Sequence, residues 1–281
     1  MKDQQQAIEQ AAAWLRDADG LLVTAGAGIG VDSGLPDFRG NDGLWRAYPA
    51  LGAAQISFES IANPASFLED PALAWGFYGH RLKLYREIVP HAGFAILQRW
   101  MQRMPHGAFV RTSNVDGQFQ RAGFAEQAVS ECHGSIHHMQ CALPCCSHIW
   151  PATGFEPQVD EETCRLIGPF PRCPDCGGIA RPNVLMFYDA AWLSRRTDAQ
   201  EARLQRWIES AGRLVTVELG AGTALPTIRR FSERHGPRVI RINLREPQID
   251  PAKGIGIQGG ALESLVALDH ALNQASGAQN R

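Results

Sequence analysis

The chain has 281 residues, 44% of them apolar, seven cysteines and a formal net charge of −2. This length and apolar share allow one large or two smaller globular units with a sizeable core; the near-neutral charge gives no electrostatic footprint for nucleic acid, and no apolar run approaches the ~18 residues of a membrane span. An odd cysteine count excludes complete disulfide pairing within one chain, and the polar start Met1-Lys2-Asp3-Gln4-Gln5-Gln6 predicts no secretory signal, so thiols that are reduced or metal-bound in the cytoplasm are expected.

Apolar residues at Ile8, Ala11, Ala12, Leu15 and Ala18 predict a helix over 5–18. Leu21-Leu22-Val23 reads as a buried strand and opens into a glycine-rich run from Thr24 to Gly40. Glycine lets a turn come close to a phosphate because no Cβ intervenes, and the amides beyond it can face a pyrophosphate. Many turns share that pattern. Leu35-Pro36-Asp37-Phe38-Arg39 is more specific: a rigid proline, an acid, a ring and a permanent cation build a poor core but suit a charged aromatic cofactor.

Residues 42–90 are rich in aromatics and read as helical without strands. Within them Tyr78 and Arg81, three apart, share one helix face. In a cleft such a pair can clamp a carboxylate by charge-assisted hydrogen bonds; alternatively Tyr78 packs and Arg81 is solvated. A helix near 91–103 and a strand over 108–112 lead to Thr112-Ser113-Asn114-Val115-Asp116-Gly117. Ligands of open parallel sheets bind beyond the carboxyl ends of strands, which suits Asn114 for ribose hydroxyls and Asp116 for a carboxamide nitrogen. Asn-x-Asp-Gly also makes an ordinary turn. A strand over 127–131 runs into Glu131-Cys132-His133-Gly134-Ser135. His133 is the natural general base there, its ordinary pKa lying near neutrality, although a structural role would give the same pattern and His137 and His138 stand close by.

Six of the seven cysteines fall within 136–182. Cys173-Pro174-Asp175-Cys176 followed by two glycines has zinc-knuckle spacing. Cys141 and Cys145 complete a closed four-thiolate site, with Cys146 as the alternative to Cys145 and His148 a weaker one. Arg181 to Asp189 is an extended apolar stretch that can pair with a peptide by strand addition or lie as a buried strand. Further strands are predicted over 213–219 and 238–243 and helices near 198–211 and 223–235. A second glycine-rich turn, Gly220-Ala221-Gly222-Thr223, ends the first of these strands and Asn243 ends the second; either end can meet the adenosine half of a dinucleotide. The polar tail 273–281 is expected to fray. Strand–helix alternation predicts an α/β fold, a parallel sheet covered on both faces.

In this order the segments resemble the sirtuins, the NAD-dependent protein deacylases, over essentially the whole chain. The resemblance implies a Rossmann-like doubly wound NAD-binding domain from 1–41, 91–135 and 183–281. It implies a smaller lobe built from a helical insertion, 42–90, and a zinc-binding insertion, 136–182. Ala25, Gly26, Ala27, Gly28 and Ile29 would line the NAD phosphates and nicotinamide pocket. Asp37, Phe38 and Arg39 would form a mobile cofactor loop, with Phe38 shielding the ribose. Ser113, Asn114 and Asp116 would hold the ribose and the nicotinamide amide, Asn114 and His133 being the catalytic pair and His133 the base. Gly222 and Thr223 would face phosphate or ribose, and Asn243 the adenosine ribose. Val184, Met186 and Phe187 would line the acyl-lysine channel.

Trp75-Gly76-Phe77-Tyr78-Gly79-His80-Arg81 is similar to the helix of the sirtuin class preferring acidic acyl groups. Three segments depart from the family pattern: Ser113 replaces Gln, Tyr188-Asp189 replaces Gly-Glu, and Ala224 replaces Ser. The implied activity is deacylation of an acylated protein lysine, releasing nicotinamide and O-acyl-ADP-ribose, with NAD and zinc bound and neither nucleic acid nor membrane as partner. ADP-ribosyl transfer or NAD hydrolysis on the same fold, and a non-catalytic NAD-sensing zinc module, are the alternatives. The oligomeric state is left open.

Overall fold

The computed structural model describes residues 2–36, 40–143, 145–236 and 238–278. In chain order the strands are β1 (Gly20–Ala25), β2 (Ala108–Thr112), β3 (Val129–Glu131), β4 (Gly134–Cys141), β5 (Ile149–Pro151), β6 (Gln158–Asp160), β7 (Arg165–Ile167), β8 (Ala180–Val184), β9 (Leu214–Leu219), β10 (Val239–Asn243) and β11 (Gly254–Gln258). Six of them form a parallel sheet in the order β11-β10-β9-β1-β2-β3. Every residue of β1 is buried, as expected of a central parallel strand covered on both faces. Leu21 and Val23 face one core with Trp100, Leu265 and Leu268, from the helices Ala92–Arg103 and Ala261–Ala278. Leu22 faces the opposite side, with Phe109 and with Leu204 of the helix Arg195–Ser210.

The chain leaves β1 for β2 on one side, and β9 lies on the other. The carboxyl ends of β1 and β9 are therefore a topological switch point, where open α/β sheets form a crevice. Above it stands a second apolar cluster. The helix Pro71–Glu87 supplies Trp75, Phe77, Tyr78 and Leu82, and the antiparallel sheet β5-β4-β8 supplies Ile136, Met139 and Val184.

The apolar runs at 21–25, 108–112, 213–219 and 238–243 are strands with ends displaced by at most one residue, and the run at 127–131 shortens to β3, after a 3-10 turn. Three features differ from expectation. β11 was not anticipated, because alternate glycines break its apolar pattern. The stretch from 181 is a strand only to Val184. The final helix continues to Ala278, so residues 273–278 are helical rather than frayed. Among the described residues no helix is long and apolar enough to cross a membrane.

Candidate active site at the sheet switch point

Two glycine-rich turns meet at the switch point. Gly26 donates its N–H to the Leu219 carbonyl at 3.0 Å, and Gly28 donates to the Gly220 carbonyl at 3.1 Å. A Cβ on Gly28 would lie 2.7 Å from Gly220 Cα, far inside van der Waals contact. Gly28 and Gly220 thus let one turn rest on the other, backbone against backbone. The cavity wall is made by Gly220 itself and by its neighbours Gly26, Ala27, Ala221, Gly222 and Thr223. Ala25 and Ile29 are buried in the large core and, like Gly28, are not lining residues.

The cavity, about 760 Å³, extends from these turns past the end of β2 to the segment after β8. Ser113, Asn114 and Asp116 line it. The Ser113 N–H donates to the Ala25 carbonyl (3.0 Å), and Asn114 Nδ2 donates to the Gly26 carbonyl (3.1 Å). Asn114 thereby braces the first turn with its donor and keeps its carbonyl oxygen as an acceptor. Asp116 is 7% exposed. Burial pushes its carboxyl up to about 6, although its oxygen accepts the Gln118 N–H at 2.9 Å.

His133 also lines the cavity. Burial holds its pKa below the ordinary value, the nearby Arg111 guanidinium adds to this, and a hydrogen bond to the Ser113 backbone opposes it. The edge strand before it is fixed by the helix Arg195–Ser210. Gln200 Oε1 accepts the Glu131 N–H (3.0 Å), Thr197 donates to the Glu131 carbonyl (3.1 Å), and Arg196 pairs with the Glu131 carboxylate (2.6 Å). Gly134 follows with φ +78°, where a Cβ would stand 2.1 Å from the Asn183 carbonyl oxygen. Only glycine lets β4 leave this turn against β8.

The His133 carbonyl accepts the Leu185 N–H at 2.9 Å, and the Phe187 N–H reaches the Ala62 carbonyl at 2.9 Å. Val184, Met186 and Phe187 line the cavity. The turn beyond them is anchored by a fully buried ion pair, Arg181–Asp189 at 2.8 Å. Tyr188, 80% exposed with φ 56°, stands at the rim, and its hydroxyl donates to Glu59. Tyr78 and Arg81 reach the same cavity from the helix Pro71–Glu87. At the opposite end Thr223 donates to the Glu246 carboxylate (2.6 Å). Asn243 does not line the cavity: its amide donates to the Ala221 carbonyl (2.9 Å) and its oxygen accepts the N–H groups of Arg245 and Glu246 (both 3.0 Å). It ties the second glycine turn to the loop after β10.

Asp37, Phe38 and Arg39 lie outside the described residues. Sequence reading did not single out Tyr85, Phe58, Ala62 or Glu246 as lining residues. Tyr85, seven residues after Tyr78, was legible as helical periodicity; Phe58, Ala62 and Glu246 carry no local signal.

At the far end of the small lobe the Sγ atoms of Cys141, Cys145, Cys173 and Cys176 all lie within 4.8 Å of one another. Cys141–Cys176 and Cys145–Cys173 are 3.7 and 3.6 Å apart. Tetrahedral zinc with Zn–S near 2.3 Å calls for sulfurs about 3.8 Å apart, so the cluster fits a four-thiolate zinc site. Cys146 instead groups with Cys173 and Asp175. Four thiolates leave no open coordination position, which makes such a metal structural.

The family model described as the Sir2 family matches residues 26–206. The chain is 32% identical over 250 residues to NAD-dependent protein deacylase 2 of Pyrobaculum aerophilum, covering 88% of each. It is 32% identical over 257 residues to the NAD-dependent protein deacylase of Pyrococcus furiosus, covering 91% of this chain and 94% of the relative. Among solved structures, a Sir2 homologue in complex with ADP-ribose superposes with a TM-score of 0.71 at 25% identity, covering 96% of this chain and 98% of that one. A Sir2 homologue–NAD complex gives 0.66 at 26% identity, covering 95% and 94%. With its switch-point cavity, its four-cysteine cluster and these relatives, the chain belongs to the Sir2 family.

Proposed function

We propose that the protein is an NAD-dependent protein lysine deacylase acting on acylated protein lysines. The observation that carries this reading is one cavity holding the two glycine turns, the Asn114–Asp116 turn, His133 and the segment 184–187. Its donor set fits the cofactor: backbone at Gly26, Ala27, Gly222 and Thr223 for phosphates and ribose, the Asn114 oxygen for a ribose hydroxyl, and Asp116 for the carboxamide. When bound, NAD supplies an electrophilic ribose carbon from which nicotinamide departs and onto which the acyl group is carried.

The remaining chemistry belongs to this chain. His133, neutral because burial disfavours its cation, takes a proton from a ribose hydroxyl through its unprotonated ring nitrogen. Asn114, braced on Gly26, orients that ribose. Val184, Met186 and Phe187 exclude water around the lysine's methylenes. Leu185, which is 39% exposed, and the residues after it offer backbone for a peptide to add as a strand. Arg81 and Tyr78 at the distal end favour an acyl group ending in a carboxylate, such as succinyl, malonyl or glutaryl. The four-thiolate site needs reduced cysteines, which supports a cytoplasmic setting.

The test is incubation with NAD and matched acetyl-, succinyl- and malonyl-lysine peptides, following peptide mass and nicotinamide together. Peptide-dependent nicotinamide release with loss of the acyl mass is expected. Nicotinamide released while every peptide stays unchanged would contradict deacylation and indicate ADP-ribosyl transfer or NAD hydrolysis.

A further inference from the structure

Glu59 and Tyr188 stand at the cavity mouth, each one residue beyond a lining side chain. Glu59 follows Phe58 on the short helix Phe58–Ile61, Tyr188 follows Phe187 beyond β8, and Phe58 and Phe187 both line the cavity. The two phenylalanine rings meet edge to face with centroids 5.8 Å apart, and the Phe187 N–H donates to the Ala62 carbonyl at 2.9 Å. On the other side of Tyr188, Asp189 is locked in the buried pair with Arg181. Tyr188 is therefore held between two anchored residues, with φ 56° and 80% of its surface exposed.

A left-handed backbone is costly for a bulky residue and persists only where the surroundings impose it. A ring this exposed recovers little of that cost by burial. What the conformation achieves is placement: the phenol hydroxyl donates to the Glu59 carboxylate and bridges the mouth, from the segment after β8 to the helical insertion. Among the described residues that hydroxyl is the sole partner of Glu59, which is itself exposed. A carboxylate has about four acceptor positions, so most remain for a ligand. An exposed ring tied to an exposed carboxylate suits a cation: the ring face attracts it, and the carboxylate accepts its N–H groups. In the deacylase reading a peptide adds as a strand along this same segment. The cation that reaches this corner then belongs to the peptide. A lysine or arginine close to the acyl-lysine has a stem that can lie along the Tyr188 ring while its head meets Glu59.

We propose that Glu59 and Tyr188 form a specificity-determining subsite for a lysine or arginine that flanks the acyl-lysine of the substrate. This rests on the deacylase reading and narrows its substrates to acyl-lysines within basic stretches, whatever the acyl group.

The test uses peptides of one sequence carrying one acyl-lysine, with arginine, alanine or glutamate at the three positions on either side, at saturating NAD and low ionic strength. In wild type, kcat/KM for the arginine peptide is expected to exceed that for the glutamate peptide about 10-fold, mostly through KM, and high salt should shrink the preference. Glu59→Gln keeps an acceptor for the Tyr188 hydroxyl and removes the charge. Tyr188→Gly suits φ 56° and removes the ring. Both side chains are exposed, so neither variant opens a core cavity. Each should lower the arginine-to-glutamate ratio about threefold or more. Equal kcat/KM on the three peptides in wild type, a preference for glutamate, or a ratio unchanged in either variant would overturn the proposal. If no peptide loses its acyl mass, the deacylase reading fails, and the Kd of each peptide judges the subsite. Tighter binding of the arginine peptide that is lost in Glu59→Gln then upholds it, and equal Kd values in wild type overturn it.

Discussion

The two lobes hold themselves together with different emphasis. The large lobe is a continuous apolar core in which Leu21, Val23, Val110, Val217, Leu219 and Ile240 pack from neighbouring parallel strands. It brings to the site both backbone, in two turns whose glycines press together at the switch point, and the side chains of Asn114, Asp116 and His133 beyond the ends of β2 and β3. The small lobe also has an apolar cluster. Both lobes carry a buried ion pair, Arg241–Glu218 in the large one and Arg181–Asp189 in the small one, and the small lobe adds the rings around Arg81 and four converging cysteines. Its contribution to the site is mostly side chain. The large lobe is fixed chiefly by its apolar packing. The small lobe depends more on ties that a single substitution can cut.

The largest effect should come from cutting the metal tie. A structural zinc contributes on the order of 10–16 kcal/mol of apparent binding energy that is also folding energy. Cys173→Ser, or treatment with a strong chelator, should abolish bound zinc and deacylation. The parallel sheet should survive, read by metal analysis alongside near- and far-UV circular dichroism. Full activity without metal would erase the contrast between the lobes.

Next comes the seam between them. Gly134→Ala places a Cβ 2.1 Å from the Asn183 carbonyl oxygen at φ +78°, which should cost about 3 kcal/mol or more in urea unfolding. Gly134 follows His133 directly, so kcat should fall as well. A cost below about 1 kcal/mol would mean that β4 and β8 can separate freely.

The smallest effect concerns pH. His133 acts as a base only when neutral, and its pKa lies below the ordinary value, so kcat/KM for the acyl peptide should decline only as pH falls through a value below 6.5. Its folded form prefers the neutral ring. Its contribution to stability is therefore present above the unfolded pKa and lost as pH falls through the folded one. Asp116 has the opposite sign. Its raised pKa, about 6, favours the folded state at low pH, and that contribution is lost as pH rises from near 4 through about 6. An acid limb above 6.5 would contradict the placement of His133.

Much of this division was legible in the sequence. The central strands announced themselves as apolar runs, and Cys173 and Cys176 as a metal pair, because both signals are local. Ser113, Asn114, Asp116, His133, Val184, Met186 and Phe187 all reach one cavity. Ala25, Gly28, Ile29 and Asn243 do not line it. A glycine that lines a cavity and one that only lets two backbones meet look alike in a sequence: a Cβ on either Gly26 or Gly28 would crowd the second turn, and Gly26 alone of the two also lines the cavity. Asn243 ends a strand as the cofactor-facing turns do, and its amide bonds the protein's own loops. Phe58, Ala62 and Glu246 were not foreseen because tertiary folding alone brings them to the cavity.

The most direct measurement is His133→Ala, with kcat/KM on an acyl-lysine peptide and the Kd for NAD determined on the same preparation. Loss of a positioned general base should lower kcat/KM by about 10²- to 10⁴-fold while the Kd for NAD changes less than about threefold. Turnover retained within about tenfold, or NAD binding lost together with activity, would contradict the assignment of His133 as the base of this site.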